Sequence, residues 1–192
     1  MPINPGVTTP IFLGSLAATS LVGMSIPQLA TGLALGLFQY SQTGLIVTSI
    51  DAGTLGAGTG LCPTIILNEQ VLFTAISSSL LGHGVTGMLM PALANGAALG
   101  ISASFALAIV QTINPVVGVG TGKLQLVPNG AGSVIFPAAF LAMGLTGTMS
   151  AVVASAIGLG IDSVISTAIG VIPIVGTPSM IPSSGVGSGH IL

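Results

Sequence analysis

Apolar residues fall in dense blocks along this chain, divided by short glycine-rich breaks. Three blocks of helical length run from Ile11 to Ser20, Val71 to Leu81 and Val134 to Met143. Each is followed by a break, Leu21-Val-Gly23, Val85-Thr-Gly87 and Leu145-Thr-Gly147. Glycine readily takes the left-handed conformation that ends helices. A second block then begins near Pro27, Pro91 and Ala151 and runs towards Tyr40, Val110 and Ile169. Proline is accommodated in a first helical turn, and Ser25 and Ser150 offer N-cap hydroxyls. Apolar residues in the second blocks are too dense for a single stripe, which predicts helices buried all round. Glycine-rich linkers follow, and Thr64-Ile-Ile-Leu67 and Leu124-Gln-Leu-Val127 read as short strands.

The blocks resemble one another. Pro27 to Gly36 and Pro91 to Gly100 match at seven of ten positions at an offset of 64, and Ala151 to Gly160 is a weaker third copy, 60 residues after the second. Gly56-Ala-Gly-Thr-Gly60 matches Gly118-Val-Gly-Thr-Gly122, and Val175-Gly-Thr-Pro178 is a degraded third version. Self-similarity at a fixed period signals a repeat architecture. The expected fold is therefore mainly α, a single compact unit of three pseudo-repeats at about 7–68, 69–131 and 132–192. Each repeat is an apolar helix pair, and glycine-rich linkers with short strands join them. Small residues recur four apart in the second blocks: Gly32 with Gly36, Gly96 with Gly100, Ala156 with Gly160. Residues at this spacing share a helix face and let another backbone approach closely. A glycine-rich chain also produces such pairs by chance.

Composition changes the picture outside the molecule. Of 192 residues, 51% are hydrophobic and 2% charged: Asp51, Glu69, Lys123 and Asp162. A compact chain of 18.6 kDa exposes roughly 8,000 Å², about one charge per 2,000 Å². A free soluble monomer is not expected, and the surface must be covered by other molecules. Disorder is disfavoured by the hydrophobic content. Direct nucleic-acid binding is disfavoured by the shortage of Lys and Arg. Lipid is one candidate cover, because Val71 to Gly122 carries only His83 as a titratable group and Leu124 to Ile161 carries none. Against lipid stand the single basic residue and the absence of an aromatic belt, with no Trp and only Tyr40. Met1-Pro-Ile-Asn-Pro-Gly6 also lacks the basic start of a signal peptide.

Candidate chemistry is sparse. Acid–base catalysis wants paired titratable groups, whereas the three carboxylates are scattered. Asp51 and Glu69 suit solvated or capping roles in and beside the first linker. Asp162 interrupts an apolar block, where a carboxylate is either functional or turned to an interface or water. Cys62 reads as a small packed residue and His83, in Gly82-His-Gly84, as a helix-end hydrogen-bonding group. His190 lies in a Gly/Ser-rich tail. The His and Cys content is too low for a metal site of three or four ligands. Gly118-Val-Gly-Thr-Gly-Lys123 departs from a phosphate loop, since Val117 stands at the required first glycine and Leu124 follows the lysine. Neither catalytic residues nor a cofactor is expected.

Pro27 to Gly36, Pro91 to Gly100 and the two Gly-Thr-Gly loops, in a nearly uncharged chain, resemble hydrophobic Gly/Ala-rich structural proteins of tailed bacteriophages. The resemblance implies a non-enzymatic virion component of the tail or capsid, present in several copies. Its partners would be copies of itself and other proteins of the particle. The alternative expectation is an integral membrane protein, channel- or holin-like, or a particle protein that inserts into the host membrane.

Overall fold

In a computed structural model the protein is mainly α, with six helices packed together. The structure describes residues 4–20, 25–41, 46–54, 57–61, 64–65, 68–113, 120–167, 169–175 and 183–191, with side chains described at 4–20, 25–41, 68–108 and 128–167. The helices come in three pairs: α1 (Pro5–Ala18) with α2 (Ser25–Ser41), α3 (Glu69–Gly82) with α4 (Met90–Ala106), and α5 (Gly132–Ala142) with α6 (Thr148–Thr167).

Local chemistry sets the boundaries. Asn4 caps α1, its side-chain oxygen accepting the Gly6 N–H at 2.8 Å, with Pro5 preset in the first turn. The helix therefore begins well before Ile11. Asn68 caps α3 in the same way, accepting from Gln70 and Val71. Glu69 adds a negative charge in that first turn, where the helix dipole favours it. Ser150 lies inside α6 rather than capping it. Ser25 is the first residue of α2, and the Ser150 hydroxyl donates to the Leu145 carbonyl. Two of the second helices also stop short of the expected ends, while α2 runs through Tyr40 to Ser41. α4 finishes at Ala106, and Ile109-Val110 is extended, as β-branched residues favour. α6 finishes at Thr167.

Each helix packs on its chain neighbours, and α6 returns to α1, which closes a ring. The two kinds of helix bury themselves differently. α2, α4 and α6 bury eight or nine residues each and form the inside. α1, α3 and α5 bury a narrow stripe each: Thr8, Phe12 and Leu16; Leu72, Ile76, Ser79 and Leu80; Gly132, Phe136, Ala139 and Phe140. Leu33, Ala97 and Ile157 occupy corresponding positions in the inner helices, as do Leu37, Ile101 and Ile161, and all six are buried in one cluster. At the ends of the inner helices the chain leaves the bundle. Backbone-paired segments β1 (Ile46–Thr54), β2 (Ala57–Leu61), β3 (Thr64–Ile65), β4 (Ile109–Ile113), β5 (Gly120–Val127), β6 (Ile169–Val175) and β7 (Ser183–Ile191) lie there. Their ladders are antiparallel and run β1–β2–β4–β5–β6–β7 and back to β1, with β3 also on β1.

The turns inside the second and third pairs are built alike. The Val85 N–H reaches back to the Leu80 carbonyl and the Leu145 N–H to the Phe140 carbonyl, each at 3.0 Å. This is the six-to-one bond of a Schellman ending. It needs a left-handed residue, and Gly84 and Gly144 supply it at φ +78°. At the corresponding place after α1 stands Ser20, at φ +60°. An L side chain in this region costs roughly 1–2 kcal/mol. Gly84→Ala and Gly144→Ala are expected each to destabilise the protein by about 1 kcal/mol. Ser20→Gly is expected to stabilise it by up to about 1 kcal/mol. Denaturant unfolding monitored by helical circular dichroism checks both signs.

Candidate functional site

The inner helices meet the outer helices of the following pair through their small residues. A carbon placed as a side chain on Gly36 would lie 2.8 Å from Ile76 Cα, and one on Gly32 would lie 2.6 Å from Leu80 Cδ2. On Gly100 it would meet the Phe136 ring at 2.7 Å, on Gly96 the Phe140 ring at 2.8 Å, and on Gly160 the Phe12 ring at 2.7 Å. Side-chain carbons do not come this close, so the absent side chain is what lets the helices approach. As residue numbers rise on α2 and α4 they fall on α3 and α5, so these helices run antiparallel. Ala156, which corresponds to Gly32 and Gly96, is fully buried. The six positions are not gathered in one place; Gly32 and Gly36 face α3, Gly96 and Gly100 face α5, and Gly160 faces α1.

Among the described glycines, the tightest contact involves residues outside that spacing. Gly132, at the start of α5, rests its backbone on Gly158 of α6, and a side chain on either would collide with the other's carbonyl group. Thr8 with Ala34 and Leu72 with Ala98 hold the corresponding places in the other pairs. Each of these glycines stands outside the four-residue motif, so small-residue spacing alone could not have singled out the contact.

This contact explains Asp162. α5 has Ala131 at its N-cap, with no side-chain acceptor. Asp162 on α6 takes over the task, its Oδ2 accepting the Gly132 N–H at 3.1 Å. Burial pushes its carboxyl above the ordinary aspartate value, and the Gly132 hydrogen bond opposes the rise only in part. Tyr40 has a related role, its hydroxyl accepting the Asn68 N–H at 2.9 Å and tying the end of α2 to the start of α3. Burial raises its pKa also.

An open apolar cavity of about 500 Å³ lies between the turn of the second pair and the turn of the third. Val85, Met88 and Leu93 line one side, and Phe140, Met149 and Val153 the other. Met88 stands almost wholly in solvent, 97% exposed, with Leu89 at 66% and Met149 at 63%. Leu81 and Leu141, at the ends of α3 and α5, are exposed beside them. The sequence carried a sign of this feature, since a methionine follows the glycine of every break within two residues: Met24, Met88 and Met149.

The remaining candidates lie apart. His83 ends α3, with its Nδ1–H donating to the Ser79 carbonyl at 2.8 Å. Glu69 is in the first turn of the same helix. Asp51 falls in β1, Lys123 in β5 and His190 in β7, while Cys62 lies outside the described residues. Among the described residues no three His, Cys, Asp or Glu side chains form a metal-binding group. No protein-family profile, curated protein or solved structure matches the chain.

Two sets of substitutions follow. Gly36→Ala is expected to destabilise the protein by about 1–3 kcal/mol, because the neighbouring atom is backbone and cannot turn aside. Gly14→Ala, with open space around it, is expected to stabilise by about 0.5–1 kcal/mol. Unfolding titrations of the two variants should move in opposite directions.

For Asp162, a folded-state pKa above the unfolded value means that the charged form opposes folding. This penalty is present at neutral pH and disappears as pH falls through the raised pKa. Asp162→Asn keeps an acceptor for Gly132 without the charge. It is expected to match or exceed the parent in stability at pH 7 and to remove that part of the acid-side gain. Asp162→Ala loses the cap, at about 1 kcal/mol. Thermal melts between neutral and mildly acidic pH, compared across the three proteins, measure both effects.

Proposed function

We propose that this chain is a non-enzymatic structural component of a large assembly, and that the assembly is a bacteriophage particle, in its tail or capsid. The observation that carries this reading is the outer surface of the bundle. Outside their buried stripes, α1, α3 and α5 expose Pro10, Gly14, Val71, Leu81, Val134 and Leu141. Glu69, in the first turn of α3, is the one charged residue on these three helices. Such flanks resemble the faces of obligate oligomers, which are like a domain core cut in half. Copies of the chain and neighbouring particle proteins are the partners that would cover them, and closed symmetry is the usual outcome of such contacts.

The same reading takes the chain as three copies of one unit. What supports it is the recurrence of each feature at offsets of 64 and 60. The small inner-helix positions Gly36, Gly100 and Gly160 each face the outer helix of the next unit, and the turns at Gly84 and Gly144 share one geometry. The Gly-rich linkers would then be the joints between units.

A second reading, an integral membrane protein of channel or holin type, is favoured by one observation. α6, with 20 residues, is long and apolar enough to cross a bilayer. The other helices have 11–17 residues, at most roughly 26 Å at 1.5 Å per residue. A bilayer core is about 30 Å thick.

The test is retention. The chain is expected to stay with purified particles through detergent washing and to sediment as a defined oligomer after mild release. A singly dispersed, folded chain in plain buffer would overturn the proposal. Recovery only from membranes, resistant to alkaline extraction, would replace it with the second reading.

A further inference from the structure

The molecule is polarised along the helix axes. The pairs are antiparallel hairpins, so the turns within pairs lie at one end and the linkers at the other. Every Asp, Glu and Lys belongs to the linker end. Asp51 and Lys123 are in β1 and β5, and Glu69 opens α3 directly after the first linker. Asp162 lies near the linker end of α6 and caps the start of α5. At the turn end the one titratable group among the described residues is His83, whose Nδ1–H is engaged by a carbonyl. That end instead exposes Leu81, Met88, Leu89, Leu141 and Met149, of which Met88, Leu89 and Met149 line the apolar cavity.

We propose that the turn end is a lipid-contacting tip that enters the interfacial region of a bilayer, with the charged linker end held in water. This goes beyond the particle reading and does not depend on it, since the flanks of the bundle and its tip are different surfaces.

Three features favour lipid as the occupant. First, the tip holds no Asp, Glu, Lys or Arg, while all four such residues of the chain belong to the opposite end, the polarity of a body seated at a boundary between water and lipid. The cavity's polar side chains are only Thr86 and Ser150. Second, the backbone at the helix endings is already partly satisfied. The N–H groups of His83, Gly84, Val85 and Leu145 are all bonded to carbonyls of the preceding helix, which lowers the penalty of leaving water. The turns still contain unbonded peptide groups, which limits them to interfacial depth. Third, methionine is unbranched and polarizable, and it adapts to irregular apolar partners. An open cavity of about 500 Å³ lined by such side chains suits the acyl-chain segments that lie just below the headgroups.

The absence of Trp in this chain makes a clean test available. Full-length Met88→Trp and Met149→Trp variants carry single reporters at the tip, and Gln70→Trp, exposed near the start of α3, carries one at the linker end. Circular dichroism first establishes that each keeps the parent's helical signal. With phosphatidylcholine vesicles, emission from the two tip reporters is expected to shift to the blue and to be quenched by brominated acyl chains. The Gln70→Trp emission should change in neither respect. Added salt should leave binding unchanged, because the tip holds no Lys or Arg. Met88→Glu combined with Met149→Glu should lower vesicle partitioning by at least about tenfold, since two apolar side chains no longer leave water.

Tip reporters that ignore vesicles, or equal quenching at both ends, would overturn the proposal. So would a blue shift that grows with protein concentration without lipid, which would assign the tip to a second copy of the chain. None of these outcomes bears on whether the chain is retained in washed particles, so this inference and the assembly reading fail separately.

Discussion

Everything in this bundle depends on how closely one helix backbone can approach another. Charged residues make up 2% of the chain, so ion pairing contributes little to order among the helices. What remains is hydrophobic burial and dispersion, and dispersion falls off steeply with separation. The glycines on the inner helices remove the side chain that would hold their neighbours away. Phe12, Phe136, Ile76 and Leu80 then lie directly against helix backbone. Glycine weakens an isolated helix, so these helices are suited to life in the bundle rather than alone.

The three pairs share local features, and one departure from them is made good by a neighbouring helix. Asn4 and Asn68 cap their own helices, and where Ala131 offers nothing, Asp162 supplies the acceptor from the neighbouring helix. The substitution is coupled to packing. Gly132 and Gly158 bring α5 and α6 so close that a carboxylate on one reaches the first N–H of the other. The same closeness takes the carboxylate partly out of water and raises its pKa. Ser20 departs without compensation, accepting in a side-chain-bearing residue the conformation that Gly84 and Gly144 adopt freely.

The helix blocks and the small-residue positions were legible in the sequence because both follow from periodicity. Gly32, Gly36, Gly96, Gly100 and Gly160 recur four apart, and helical geometry puts such residues on one face. Which helix they would face was not legible, because spacing along one helix says nothing about its neighbour. The Gly132–Gly158 contact joins residues that are each unremarkable in their own segment, and Asp162 draws its meaning from a partner 30 positions away. Ser150 misled because cap propensity is a preference of residue type, while Asn4 and Asn68, which cap α1 and α3, stood outside the apolar blocks. The apolar tip was visible only as a methionine after each break, and its exposure depended on tertiary structure.

The contact between α6 and α1 has a consequence for synthesis on the ribosome. The Phe12 face of α1 is completed by Gly160, so α1 stays partly uncovered until α6 has been made. Until then a growing chain carries an unsatisfied surface at each end of an incomplete arc, and these surfaces are complementary to one another. Two unfinished or misclosed chains can therefore join head to tail through contacts meant for one molecule.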